Sequence, residues 1–549
     1  MVVGAAVIAF AAGAVEGASS PDVRREAAER YGEAWESQDY AEMHGLLDDA
    51  ARRRTPLPEF AALHREAART ATIATLRAGG VREGDGEGIE LPITVGTRVF
   101  GTLETALRTT VREEGGRVVI AWEPHMVFGA LRPGETLHRE TTMPPRAAIL
   151  ARDGTPLAAG EPRLTDVGRS AAPVLGYLGP PGPDQEAAAA ARGLPPGTPV
   201  GQSGLEQALE GRLAGRPGGR LLAGTRVLAR AQPRRGADVR TTIDPALQAS
   251  AVEALAGRYG GAVALDPADG EVLAIAGAAV LAPQPPGSVF KIITLAAALE
   301  HGVVEPGDSF PVETAAVLEG VRLENANGEA CGGTLRNAFA HSCNSVFAPL
   351  GVRVGTERLV EMAERFGFNR PSRLPGEPPS SMPAAEGIGD ALALGSTAIG
   401  QGRLLATTPQ MASVAATIAA GGRRATPTLL PAPDASRQRV IEPAVARVVA
   451  RHMTEVVRSG TGTAAALAGV DVAGKTGTAE LRRTVEEVPV GAEAIDDPTD
   501  TAAWFAAFAP RREPQVAVAV MLVGGGTGGA TAAPAARIIL QAALQPPAG

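Results

Sequence analysis

Apolar residues recur at helical spacing between residues 22 and 36, where Ala27, Ala28, Tyr31, Ala34 and Trp35 share one face. Asp39 is placed to cap a second short helix, and 58–70 reads as a third. Strand-like runs follow at 72–77, 89–99, 102–113 and 117–122, the last two joined by Gly115-Gly116. Helices followed by a strand meander predict a small α+β domain that ends near Pro124.

From about 131 to 236 the pattern is broken by Pro and Gly in 178–183, 193–201 and 215–219. Short strands fit there, with one helical stretch around 205–213. The segment reads as an extended module without a compact core of its own. Beyond Gly236 a strand at 239–244 leads into a helix with Pro245 in its first turn. A strand pair, 261–265 and 272–276, turns at Asp269-Gly270. A Pro-Gly loop and a helix over 288–300 follow, and helices dominate 335–460. Strand patterns return at 470–479, 502–508 and 516–523, and a last helix covers 533–545. Strands at both ends, with helices between them, predict one sheet assembled from distant parts of the chain.

At 549 residues the chain exceeds a single domain. Hydrophobic residues make up 45% but aromatics only 3%, so the cores must rest on Ala, Val, Leu and Ile. The net charge of -8, with no basic patch interleaved with aromatics, argues against nucleic acid as a partner. Residues 1–15 are small and apolar, a run short of the roughly 20 residues of a membrane span and without a basic leader. The expectation for 1–20 is a membrane anchor or export signal whose true start lies upstream. Cys331 and Cys343 fit neither a zinc site nor a disulfide framework. They are either one bridge formed in an oxidising compartment or two buried thiols.

Of the 52 lysines and arginines only Lys291 and Lys475 are lysines. Arginine stays charged at any working pH, whereas a buried lysine can release its proton and act as a base. Ser288 precedes Lys291 by one helical turn, which puts both on one face. A hydroxyl becomes a nucleophile when a base takes its proton. Burial or a second cation lowers a lysine pKa enough for that task, and Lys475 is the second cation. In Ser342-Cys343-Asn344, read as an extended or looped segment, Ser342 and Asn344 point one way and Cys343 the other. Ser342 can then relay a proton, and Asn344 can hold Lys291 or a substrate amide. Lys475-Thr476-Gly477-Thr478 falls on a strand, where lysine and hydroxyls suit a carboxylate and Gly477 admits a substrate as an added strand. The backbone N–H groups of Ser288 and Thr478 are the expected oxyanion donors.

The order S-x-x-K, S-x-N, K-T-G matches a known set of serine acyl-transfer motifs. Together with 261–277 (GAVALDPADGEVLAIAG), 286–292 (PGSVFKI), Gly400-Gln401-Gly402 with Thr408-Pro409, and 473–480 (AGKTGTAE), it resembles the class B penicillin-binding proteins, which are peptidoglycan D,D-transpeptidases. Residues 146–158 (RAAILARDGTPLA) and Gly204-Leu205-Glu206 resemble that family's dimerisation module, with Ala147 in place of the usual Gly and Ala151 in place of the usual Asp. Residues 21–124, with Ala34-Trp35 and Asp39-Tyr40, resemble the NTF2-like domain that precedes some members.

The resemblance implies a multidomain α+β chain. After the anchor at 1–20 come an NTF2-like domain at 21–130 and a dimerisation or pedestal module at 131–236. A transpeptidase domain at 237–549, an antiparallel sheet flanked by helices, completes it. The resemblance makes Ser288, Lys291 and Ser342 catalytic, and Asn344, Lys475, Thr476, Gly477 and Thr478 substrate-binding, with no metal or cofactor. Donor and acceptor stem peptides ending in D-Ala-D-Ala would be the substrates, and β-lactams would acylate Ser288. Proteins of an elongation or division complex would be partners, with the catalytic domain outside the cell membrane.

Other readings have less support. A β-lactamase needs a deacylating base, and no E-x-x-L-N pattern lies between Asn344 and Lys475. A bifunctional glycosyltransferase would carry an acidic E-D-x-x-F type segment upstream, and none is present. A D,D-carboxypeptidase shares every motif, because water and an amine compete for one intermediate. A non-catalytic β-lactam-binding or division scaffold could dispense with both lysines, and both are present. His341 is expected at the surface or in packing, and the acidic stretch 493–500 in solvent.

Overall fold

The computed structural model describes residues 21–84, 88–431, 437–481 and 500–545. The expected anchor at 1–20 and nearly all of the acidic stretch 493–500 lie outside the described residues. Among the described residues no helix is long and apolar enough to cross a membrane. The chain forms two compact units, one taking in residues up to 145 with 180–199 and 214–236, the other 146–179, 200–213 and 237 onward.

In the first unit, helices Pro21–Glu36, Tyr40–Gly45, Asp49–Arg54 and Leu57–Thr70 precede an antiparallel sheet. Asp39 caps its helix by accepting from the Glu42 N–H at 2.9 Å. Tyr31, Trp35, Phe60 and Trp122 fill the core. A second sheet in this unit pairs Gly218–Ala223 with both Leu137–Thr142 and Arg226–Ala231. Leu221 and Ala223 of that sheet enter the same core. The segment 131–236 is divided between the two units. Its three longer strands belong to the first unit, and the stretches 146–179 and 200–213, with their short strands, belong to the second. Periodicity marks a strand but not its partner, so the sequence could not show this division.

In the second unit, Ile149–Leu150 pairs with Pro156–Ala158 and with Val239–Arg240. Glu206 is fully buried there and accepts from Arg146 Nε at 2.7 Å and Arg163 Nε at 2.6 Å. Removing either arginine would leave a buried charge short of a partner, which is strongly destabilising.

The centre of this unit is a five-stranded antiparallel sheet in the order Val272–Ala276, Gly260–Leu265, Val516–Val523, Thr501–Ala509, Ala473–Glu480. Side chains alternate between two buried faces. Val263, Trp504, Ala506, Ala519 and Met521 share one core with the helices Lys291–Glu300 and Thr408–Ala419. Ala262, Phe505, Ala507, Val518 and Val520 share the other with Pro245–Leu255 and Ala533–Ala543. Burial on both faces is why the strands other than Ala473–Glu480 read as apolar runs. Ala473–Glu480 lies at the sheet edge, next to the turn that carries Ser288.

Candidate active site

Ser288 does not open the α-helix itself. It lies in a single 3-10 turn, Gly287–Phe290, that runs straight into Lys291–Glu300. Gly287 has φ +53°, and a Cβ there would stand 2.6 Å from the Thr478 carbonyl oxygen. Gly477 meets the same turn from the strand side, where an added Cβ would lie 2.6 Å from the Pro286 oxygen. Two glycines thus let the turn and the edge strand touch backbone to backbone. The Gly287 N–H also donates to the Gly400 oxygen at 3.0 Å. Val289 and Phe290 are buried, whereas Ser288 between them and Gly287 is half-buried.

Lys291 is 0% exposed. Its Nζ donates to the Ser342 carbonyl oxygen at 2.7 Å and to Asn344 Oδ1 at 2.6 Å, and lies 3.2 Å from Ser342 Oγ. Burial, and then the charge of Lys475, hold its pKa well below the ordinary lysine range. Lys475 is also 0% exposed. Its Nζ donates to Ser342 Oγ at 2.9 Å and to the Thr476 oxygen at 3.0 Å, and burial pushes its pKa down to about 7. Ser342 Oγ therefore stands between the only two lysines of the chain.

The segment around Ser342 is not extended. Ser342 has φ +61°, in a tight turn between the helices Leu335–Ala340 and Asn344–Val354. A serine in the left-handed region is uncommon and marks a backbone held by its surroundings. Here the Ser342 N–H donates to the Phe339 oxygen at 3.2 Å and the Cys343 N–H to the Ala338 oxygen at 2.9 Å. Cys343 is buried and bridged to Cys331, while Ser342 and Asn344 both reach Lys291. Asn344 Nδ2 donates to the Glu324 oxygen at 2.6 Å, so the amide is fixed with its oxygen on the lysine. Of the two roles open to it from sequence, holding Lys291 is the one this geometry fits.

Thr476 is buried, with its Oγ1 2.5 Å from Thr461 Oγ1. Thr478 is exposed and accepts from the Gly528 N–H at 3.2 Å. His341 is exposed. Three residues at the site carried no sequence signal. Thr461 contacts Thr476, and its N–H donates to the Ala340 oxygen at 3.1 Å. Phe339 and Phe347 lie under the lysines, with Lys475 Nζ 5.7 Å from one ring and Lys291 Nζ 5.7 Å from the other. Spacing cannot separate a phenylalanine under a lysine from an ordinary core residue.

The family model for the penicillin binding protein transpeptidase domain matches residues 260–541, half of the chain. This chain belongs to the penicillin-binding protein transpeptidase family. A model of the penicillin-binding protein dimerisation domain matches 161–241, which gives the class B architecture. Among relatives, peptidoglycan D,D-transpeptidase PbpA of Mycobacterium tuberculosis is 35% identical over 384 residues, 57% of this chain and 73% of that one. Peptidoglycan D,D-transpeptidase MrdA of Acinetobacter baumannii is 26% identical over 65% of this chain and 62% of that one. The penicillin G acyl-enzyme complex of penicillin-binding protein A from M. tuberculosis superposes with a TM-score of 0.57 at 29% identity, covering 73% of this chain and 100% of that one. The D,D-transpeptidase domain from Eggerthella lenta gives 0.58 at 29% identity over 73% and 99%. In this penicillin-binding protein the second motif meets both lysines at Ser342 Oγ, and the turn that carries Ser288 packs backbone to backbone on the edge strand.

Proposed function

We propose that the chain is a serine D,D-transpeptidase that cross-links peptidoglycan stem peptides and is acylated by β-lactams. The observation that carries this reading is the convergence of both lysines on Ser342 Oγ, with Lys291 directly following the turn that carries Ser288. Ser288 Oγ attacks the penultimate D-Ala carbonyl, and Lys291 takes its proton. The oxyanion faces the backbone N–H groups of Ser288 and Thr478. The C–N bond then breaks, and the leaving D-Ala amine receives a proton relayed from Lys291 through Ser342. An acceptor amine attacks the acyl-enzyme and restores the Ser288 hydroxyl. Lys475, with Thr476 and Thr478, binds the terminal carboxylate of the donor, and Gly477 admits its backbone.

The catalytic unit works outside the cytoplasm in this reading, and the Cys331–Cys343 bridge supports an oxidising compartment. For residues 21–130 we propose an NTF2-like domain, supported by four helices that lead into an antiparallel meander. D-Ala release from a D-Ala-D-Ala peptide, with and without an amine acceptor, tests the reaction. A transpeptidase forms the cross-linked product and releases D-Ala faster when the amine is present. Release to water alone, unchanged by the amine, would make the enzyme a carboxypeptidase.

A further inference from the structure

Two buried lysines lie within hydrogen-bond reach of one hydroxyl, and among the described residues neither has a carboxylate partner. Their polar partners are carbonyl oxygens, an amide oxygen and Ser342 Oγ. None of these carries a formal charge. A buried ammonium without a counter-ion loses its proton unless something else stabilises it. What lies beneath both is aromatic. Phe339 is in the last turn of the helix before the Ser342 turn, and Phe347 is in the first turn of the helix after it. Both rings are 0% exposed, 5.7 Å apart and inclined at 62°. Lys475 Nζ stands 5.7 Å from the Phe339 centroid, and Lys291 Nζ 5.7 Å from the Phe347 centroid. Each lysine therefore has a ring of its own, and the two rings are in mutual contact.

We infer that Phe339 and Phe347 are positioning residues that apportion positive charge between the two lysines, their π faces taking the place of the missing counter-ions. The face of an aromatic ring is negative and attracts an ammonium most strongly where water is excluded. Phe339 keeps Lys475 charged for the donor carboxylate. Phe347 limits how far the Lys291 pKa falls and so places the acid limb of the acylation rate. The titratable groups that bear on this pair are few. The lysines face one another. The His452 ring also contacts Phe339, with centroids 6.1 Å apart. Burial keeps His452 neutral, with Nδ1 2.9 Å from the Val448 oxygen and Arg336, Arg451 and Glu455 around it.

The functional consequence rests on Lys291 as the base, but the test does not. Because the chain has only two lysines, isotope-labelled lysine gives two side-chain NMR signals, and both can be titrated without substrate. Trifluorophenylalanine at 347 keeps shape and burial while weakening the negative face. It should lower the Lys291 pKa by about half to one unit, and the same residue at 339 should lower the Lys475 pKa equally. Phe347→Leu and Phe339→Leu should shift the same signals in the same direction. If the rings only exclude water, leucine admits solvent and the pKa values rise toward the ordinary range. Upward shifts, or signals unmoved by fluorination, would overturn the inference. In the active enzyme, the acid limb of β-lactam acylation should move down with the Lys291 signal in the Phe347 variants. A limb that stays fixed while the signal moves would count against Lys291 as the base and leave the charge assignment standing.

Discussion

Lys291 and Lys475 share a hydroxyl, and the proposed reaction gives them opposite tasks. Lys291 must be neutral to take the Ser288 proton, and its pKa lies well below the ordinary range. Acylation should therefore rise with pH as Lys291 deprotonates. Lys475 must be charged to hold a carboxylate, and its pKa lies at about 7. Above that pH it loses its cation and donor affinity should fall, which gives a bell-shaped profile for the second-order acylation rate. Lys291→Arg keeps the charge but removes the base, and should cost acylation roughly two to four powers of ten. Lys475→Arg keeps a cation at every pH, so its loss should be milder and its alkaline limb should flatten. Rates of labelling by a fluorescent penicillin across pH decide this. Equal losses in both variants, or a Lys475→Arg profile with its alkaline limb intact, would contradict the division of labour. At this scale the sequence was informative because lysine is so rare in it. The phenylalanines were not legible, because helical spacing assigns them to any core.

At the scale of elements, the second motif departs most from its sequence reading. An extended segment would also have turned Ser342 and Asn344 to one side, so the direction of the side chains came out correctly for the wrong backbone. The actual device is a left-handed serine between two helices, fixed by backbone hydrogen bonds and by the disulfide at Cys343. Nothing in residue spacing marks a serine with positive φ. The bridge closes a short loop, so replacing both cysteines by serine should lower stability by at most about 3 kcal/mol. The larger effect should fall on acylation, because Cys343 sits between Ser342 and Asn344. Reduction or the double variant should slow penicillin acylation roughly tenfold, equivalent to about 1.4 kcal/mol in the barrier. Chemical denaturation and acylation kinetics on the same samples separate the two effects. An unchanged acylation rate would show that the turn holds without the bridge. The nucleophile turn and the edge strand were more legible, since PGSVFK and AGKTGTAE carry the glycines that their close contact requires.

For the whole molecule, the strand pattern at both ends of residues 237–549 anticipated one sheet from distant segments, and five antiparallel strands form it. The partition of 131–236 was not anticipated, because its three longer strands pair within the first unit while 146–179 and 200–213 join the second. The family model for the dimerisation domain starts only at 161, so it covers part of this segment. The proposed reaction makes one hydroxyl out of the whole chain, that of Ser288, the nucleophile. Intact-mass measurement after incubation with penicillin G, followed by peptide mapping, tests it most directly. The wild-type chain should gain one penicilloyl group on the peptide containing Ser288, and folded Ser288→Ala should gain none. An adduct on any other residue, or an adduct that persists in Ser288→Ala, would contradict the assignment.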